Sequence, residues 1–233
     1  MTSRRQFLKY IPCTFVVTKY NAVLADNKNV INYKITAKKT SFSFKDNTSA
    51  ELLLYNDTNP GPTLKGNVGD ILRVNFTNNL DEPTSIHWHG IKNINKMDGV
   101  PYLTQDPIQP GETFVYEFPL NHSGTYWYHA HMDSWKQVAK GLYGPLVVND
   151  KTDDLIEDDI VILADDWRLD KNYEIDEKSF GSLMDWSHAG RVGNWLTING
   201  EKSPQYSIKA NSRARLRFIN ASNARILKFG SSL

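Results

Sequence analysis

The sequence predicts an all-β protein whose strands form a β-sandwich. Apolar side chains recur at every second position in short runs, which places them on one face of a strand: Ile31-Tyr33-Ile35, Leu72-Val74-Phe76 and Phe114-Tyr116-Phe118. Turn-forming residues separate the runs, at Asn59-Pro60-Gly61-Pro62, Asn67-Val68-Gly69-Asp70 and Gln109-Pro110-Gly111-Glu112. Apolar residues at helical spacing are scarce from Val30 to Asp150. Short alternating strands with turns between them are typical of sandwiches.

The overall composition is typical of a soluble globular protein. The chain has 233 residues, of which 23% are charged and 40% hydrophobic, and its formal net charge is +1. This near-neutral balance favours no nucleic-acid partner, because phosphate binding requires clustered positive charge. No stretch of the mature part is long and apolar enough to serve as a membrane anchor.

The first 25 residues resemble a twin-arginine export signal. Arg4 and Arg5 precede a modest apolar stretch, and small residues near Ala25 offer a cleavage site. We therefore predict a signal peptide over residues 1–25 and a periplasmic location. The alternative is a mobile basic N-terminus. Cys13, the only cysteine, lies in this segment and permits no internal disulfide.

Two units are expected after the signal. The first covers residues 30–150, and a polar, acidic linker leads to a second unit over residues 157–233. Candidate strands of the second unit are Ile160–Ala164, Trp195–Ile198, Tyr206–Ile208, Ala214–Ile219 and Arg225–Phe229. A complete sandwich needs about 100 residues, so we expect the second unit to be incomplete, with an uncovered sheet face or edge.

One strand of the second unit carries arginines at alternate positions. Arg213, Arg215 and Arg217 are expected to form its solvated face, which would place Leu216 and Phe218 on the buried side.

Two histidine pairs are the strongest functional signal. They are His87 with His89 and His129 with His131, each within an aromatic run that favours a strand. Residues two apart on a strand share a face at roughly 7 Å, so both pairs can reach one site if their strands are neighbours. Imidazole clusters suit copper, zinc, iron or nickel. The alternative is that the histidines decorate a solvent face.

Longer motifs around these pairs resemble the multicopper oxidases, the family of laccases, ascorbate oxidases and bacterial copper-efflux oxidases. The resemblance covers residues 36–233. Its most specific motifs are His87-Trp88-His89-Gly90, Met97-Asp98-Gly99-Val100-Pro101, Pro107-Ile108-Gln109-Pro110-Gly111-Glu112 and Gly124-Thr125-Tyr126-Trp127-Tyr128-His129-Ala130-His131. It implies cupredoxin-like Greek-key sandwiches, one complete and a second incomplete.

The resemblance also implies roles for individual residues. His87 corresponds to a type 2 copper ligand, His89 and His129 to ligands of one type 3 copper, and His131 to a ligand of the other. Asp98 corresponds to an acidic residue that assists proton delivery to oxygen at the cluster. An Asp-Gly pair is also common in turns, and both interpretations of Asp98 stay open.

Other family features are missing from the sequence. The C-terminal histidine motifs and the type 1 copper cysteine are absent, so the chain is expected to hold half of a trinuclear copper site. His122 and His188 are interpreted as surface loop residues, and Met97, Met132 and Met184 as packing residues.

The functional prediction is a multicopper oxidase-type oxidoreductase that in its complete form couples oxidation of phenols or metal ions to reduction of O2 to water. A second chain could supply the missing ligands. The alternatives are a non-catalytic periplasmic copper-binding module and an inactive remnant of a broken gene.

Overall fold

The structure, a computed structural model, describes residues 28–150 and 156–230. The predicted export signal, its cleavage site near Ala25 and Cys13 all lie outside the described residues. Within the two described ranges, strands far outnumber helices, which confirms the all-β prediction. No helix in these ranges combines the length and apolar character needed to cross a bilayer.

Two four-stranded sheets form the first sandwich. One has the order β2-β1-β4-β6 and the other β3-β8-β7-β5. The eight strands are β1 (Val30–Phe42), β2 (Ala50–Tyr55), β3 (Leu64–Asn67), β4 (Ile71–Asn79), β5 (Ile86–His89), β6 (Thr113–Pro119), β7 (Gly124–Ala130) and β8 (Tyr143–Asn149). The pairs β1–β4 and β3–β8 are parallel, and the other neighbours are antiparallel.

The alternation in the sequence accounts for the core between these sheets. Leu72, Val74 and Phe76 on β4 are fully buried, and their intervening neighbours are partly exposed. Trp88 on β5 and Tyr128 on β7 reach the same core from the facing sheet. The period of two therefore selects one face of each strand for burial.

A third sheet packs against the outside of the sandwich. It has the order β10-β9-β11, from β9 (Asp158–Trp167), β10 (Trp195–Ile198) and β11 (Ala214–Asn220). Leu163 and Trp167 of β9 share a second apolar cluster with Leu52 and Leu54 of β2. Leu53 and Tyr55 of β2 face the first core, so the strand is buried on both faces from Leu52 onward, which explains its apolar run after Glu51. The division into units at 30–150 and 157–233 stays a prediction.

The buried and exposed faces of strand β11 are the reverse of those that the sequence predicts. The Arg217 side chain is only 5% exposed and pairs with Asp159, whereas Leu216 is 47% and Phe218 48% exposed. Arg217 donates hydrogen bonds to both Asp159 carboxylate oxygens, at 2.6 and 2.8 Å, and to Thr125 Oγ1 of β7 at 3.0 Å. The Asp159 carboxylate offsets the desolvation cost of the buried guanidinium. The alternation of residues along β11 cannot reveal such a partner, because Asp159 lies on another strand.

Two predicted strands of the second unit are wrong. Residues 206–208 and 225–229 are irregular in the structure. Each segment is connected to the rest of the protein by a side-chain hydrogen bond. The Tyr206 hydroxyl accepts from Asn199 Nδ2 at 2.6 Å, and Arg225 Nη2 donates to the Gly193 carbonyl at 2.7 Å. Phe229 folds back onto Phe218, with ring centroids 4.5 Å apart.

A buried acid marks the junction between the sandwich and the third sheet. Asp165 of β9 is 3% exposed and accepts a 2.5 Å hydrogen bond from the Tyr143 hydroxyl. Burial raises the pKa of Asp165 from 3.8 to about 7, because the charged form loses its hydration. The folded protein therefore favours the protonated acid, and this contribution to stability is fully present below pH 3.8 and lost as the pH rises through 7.

Candidate metal centre

The two histidine pairs meet because β5 and β7 are antiparallel neighbours. In their register His87 lies opposite His129, and His89 lies opposite Trp127. His131 follows the end of β7, where its backbone N–H donates to the Ser85 carbonyl at 3.2 Å. The structure thus gathers all four sequence-predicted histidines at the ends of two paired strands.

Three of these histidines are close enough to share an ion. Ligand nitrogens of His87, His89 and His129 all lie within 4.8 Å of one another. His89 Nδ1 is 3.3 Å from His129 Nε2. Two imidazole nitrogens bound to one ion at about 2.0–2.1 Å, with a tetrahedral angle, would lie about 3.3 Å apart. The donor set and the spacing therefore fit a borderline transition-metal ion.

His131 lies beside this triad, although it is not one of the three histidines whose ligand nitrogens lie within 4.8 Å of one another. Its ring centroid is 5.3 Å from that of His87 and 6.3 Å from that of His129. The rings of His129 and His131 are nearly parallel, with an interplanar angle of 20°. This placement allows His131 to present a nitrogen to a second ion next to the first.

Backbone carbonyls orient two of the rings. His87 Nδ1 lies 2.8 Å from the Asp98 carbonyl oxygen, and His129 Nδ1 lies 3.0 Å from the Ala130 carbonyl oxygen. Because a carbonyl oxygen only accepts hydrogen bonds, each Nδ1 carries the proton and each Nε2 presents its lone pair. Metal-binding histidines usually have such a partner on the nitrogen away from the metal.

Burial favours the neutral form of two of the triad histidines. It lowers the pKa of His129 to about 4, and burial together with the nearby His87 lowers the pKa of His89. Neutral imidazole is the form that binds a metal, so the environments of His129 and His89 favour metal binding.

Aromatic side chains pack around the histidines. Trp127 packs against two of them, with its centroid 4.3 Å from the His129 ring and 5.1 Å from the His89 ring. Trp88 and Tyr128 point to the opposite face and are fully buried in the sandwich core. Ala130 is fully buried in the same core.

Asp98 lies beside His87 in a loop that packs closely against β5, because the next residue is a glycine. Its Oδ1 is 3.6 Å from His87 Nδ1, and it follows the short 3-10 helix Asn95–Met97. Gly99 has φ +79°, and a Cβ there would lie 1.7 Å from the Ile86 carbonyl oxygen. Ser85 Oγ donates to the Gly99 carbonyl at 2.7 Å. The sequence analysis left Asp98 open between a proton-delivering acid and a turn residue, and it did not predict the close approach of Gly99 to β5.

The remaining candidates lie elsewhere. His122 and His188 are both exposed, and neither belongs to the histidine group formed by the described residues. His188 follows the second helix, α2 (Leu183–Ser187), whereas the first, α1 (Ser134–Gln137), comes just after His131. Met97 packs against the sandwich core, and its sulfur accepts from the Glu117 N–H at 3.4 Å.

Comparison with known proteins agrees with this fold. A family model described as "Multicopper oxidase" matches residues 36–153. In the crystal structure of a multi-copper oxidase from Pseudomonas thermotolerans, the similarity covers 85% of this chain and 48% of that chain, with a TM-score of 0.81 and 34% identity. The sandwich is therefore of the cupredoxin type.

Two curated proteins show the same relationship in sequence. "Multicopper oxidase mco" of Staphylococcus haemolyticus is 34% identical over 210 residues, which are 87% of this chain and 45% of the relative. "Laccase-1" of Cryptococcus neoformans is 34% identical over 207 residues, which are 78% of this chain and 33% of the relative. The chain belongs to the multicopper oxidase family, which implies copper as cofactor. It spans a third to just under half of the length of these relatives.

Proposed function

We propose that this chain contributes one half of a copper cluster to an oxidoreductase that reduces dioxygen with electrons from a small substrate. The observation that carries the proposal is the convergence of nitrogens from His87, His89 and His129 within 4.8 Å on two paired strands. When bound, copper supplies one-electron redox chemistry that links oxidation of a phenol or metal ion to formation of water from O2.

In this proposal each histidine has a defined place. His87 holds a type 2 copper through Nε2, since its Nδ1 faces the Asp98 carbonyl. His89 and His129 hold one type 3 copper, which is supported by the 3.3 Å between His89 Nδ1 and His129 Nε2. His131 holds the second type 3 copper. All four ligands are imidazoles, which are nitrogen donors that suit copper.

Asp98 is proposed as the proton-handling residue. Its carboxylate lies beside the His87 ring and is partly open to solvent, with a side-chain exposure of 30%. This position would let it take a proton from water and hold it next to the cluster. Its backbone carbonyl would at the same time keep His87 in the ligating orientation.

The other half of the cluster is proposed to come from outside these residues. The chain has six histidines and one cysteine, and four of the histidines are already at the site. Four further histidines and an electron-entry copper would be supplied by a longer form of the protein or by a second chain. We also propose twin-arginine export to the periplasm, which is supported by Arg4 and Arg5 in the first residues and would deliver the folded protein.

Copper retention tests the site. Copper-loaded chain is desalted, and its copper content is measured for the unchanged chain, for His87→Ala with His129→Ala, and for His122→Ala with His188→Ala as the control. We expect the first double variant to lose its copper and the control to keep it, because His122 and His188 are exposed and lie outside the histidine group of the described residues. Equal copper content in the three proteins would overturn the assignment.

Oxygen uptake then tests the role in catalysis. The copper-loaded chain is assayed with a panel of phenols and with Cu(I), first alone and then after joining to the C-terminal half of a multicopper oxidase. We expect uptake only in the joined protein, and loss of that uptake with Asp98→Asn. Copper retention without uptake in either form would instead favour a binding module.

A further inference from the structure

A second site lies at the junction of the first sandwich and the third sheet, where a cavity of about 220 Å³ opens between the two. Trp135 of α1 and Trp186 of α2 line it and are 56% and 79% exposed. Phe180 and Arg191 line it as well. Exposed apolar rings that line one cavity are a feature of ligand-binding grooves.

The Arg191 guanidinium is the cationic group of this cavity, and the polar side chains of Ser179, Asp185 and Asn223 line it as well. Its Nε donates to Ser179 Oγ at 2.8 Å, and its central carbon lies 4.2 Å from the centroid of the Phe180 ring. Both terminal nitrogens, Nη1 and Nη2, are buried and have no hydrogen-bond partner among residues 28–150 and 156–230. Buried donors without an acceptor are costly, so the arrangement favours a ligand that supplies one.

The neighbouring carboxylates are already engaged with other groups. Both oxygens of Asp185 accept from Arg168 Nη1, at 2.9 and 2.8 Å, and Asp176 lies 3.6 Å from Arg168 Nε. Asp166 accepts from the Gly193 N–H at 2.6 Å and from Arg225 at 3.2 Å. These acids offset the charge of Arg191 at a distance, but their oxygens do not reach its terminal nitrogens.

We propose that this cavity binds a small aromatic carboxylate. The two terminal nitrogens of a guanidinium match the two oxygens of a carboxylate, and the rings of Trp135 and Trp186 offer flat apolar walls for one aromatic ring. The volume is below the 300–1,000 Å³ common for drug-sized ligands, so a single ring is the appropriate size. This site does not depend on copper, and none of its residues is a proposed copper ligand.

Benzoate binding to the copper-free chain tests the proposal. Titration is followed by calorimetry in the presence of EDTA, so that carboxylate binding to copper cannot contribute. We expect a dissociation constant of about 1 mM or lower. Benzyl alcohol, which has the ring without the charge, should bind at least about tenfold more weakly, since hydrogen bonds to charged groups are the stronger ones.

Three variants locate the binding. Arg191→Gln should weaken benzoate binding at least about tenfold, and Trp186→Ala should weaken it several-fold without disturbing the fold, because Trp186 is 79% exposed. Leu183→Ala is the matched control, since Leu183 lies on the same helix, is 81% exposed and does not line the cavity. No detectable benzoate binding, or equal binding by the unchanged chain and Trp186→Ala, would overturn the proposal even if Arg191→Gln failed to fold.

Discussion

Arg217→Met should destabilise the protein strongly, although the sequence pattern presents Arg217 as a surface residue. Methionine keeps the length of the apolar stem and removes only the guanidinium. That group is bound by both oxygens of Asp159 and by Thr125. Its loss would leave the Asp159 carboxylate without its cation at the junction of two sheets.

The surroundings of Arg217 determine how much Arg217→Met should lower the free energy of unfolding. Removing one partner of a buried ion pair costs about 3–5 kcal/mol. The Asp159 side chain is 25% exposed and can regain part of its hydration, so we expect the lower end, about 3 kcal/mol. For a chain of this length that corresponds to a fall in Tm of roughly 6–12 °C.

Urea unfolding followed by tryptophan fluorescence measures the change in the free energy of unfolding. Arg213→Met is the matched control, because Arg213 precedes the same strand and is exposed, and it should cost less than about 0.5 kcal/mol. Asp159→Asn combined with Arg217→Met should cost less than the sum of the two single changes. If Arg217→Met costs no more than Arg213→Met, the buried ion pair is refuted and the solvated-face interpretation is correct.

Two further predictions concern the glycine at the histidine site and the buried acid. Gly99→Ala should lower the free energy of unfolding by at least about 3 kcal/mol and abolish copper retention, since the added Cβ would overlap the Ile86 carbonyl. Gly111 has a similar φ of +81° and open space around it. Gly111→Ala should therefore lower the free energy of unfolding by only about 1 kcal/mol and keep the copper. Because the pKa of Asp165 is raised to about 7, stability should fall by up to about 4 kcal/mol between pH 4 and 7 in the unchanged chain, relative to Asp165→Asn. Urea midpoints at each pH measure this, and parallel pH profiles of the two proteins would contradict it.

The first sandwich could be read from the sequence because its determinants are local. Alternation at Leu72, Val74 and Phe76 selects the buried face of one strand, and the turn residues that bound such runs limit their length. The two histidine pairs could be found in the same way, since residues two apart on a strand share a face wherever that strand lies.

The tertiary structure decided what depends on partners far along the chain. Arg217 is buried because Asp159, 58 residues earlier, lies beside it, and no local pattern encodes that distance. Segments 206–208 and 225–229 have strand-like sequences but are irregular, and side-chain hydrogen bonds of Tyr206 and Arg225 connect them to residues elsewhere in the chain. The cavity at Arg191 likewise arises only where the first sandwich and the third sheet meet.

The histidine site shows both contributions together. The sequence by itself determined which four imidazoles are available and on which strands they lie. Only the pairing of β5 with β7 brought His89 Nδ1 and His129 Nε2 to 3.3 Å, and only the loop at Gly99 placed the Asp98 carbonyl on His87. The physical reason is that strand periodicity orients a side chain relative to its own backbone, whereas the distance between two ligands depends on which strands pair and in what register.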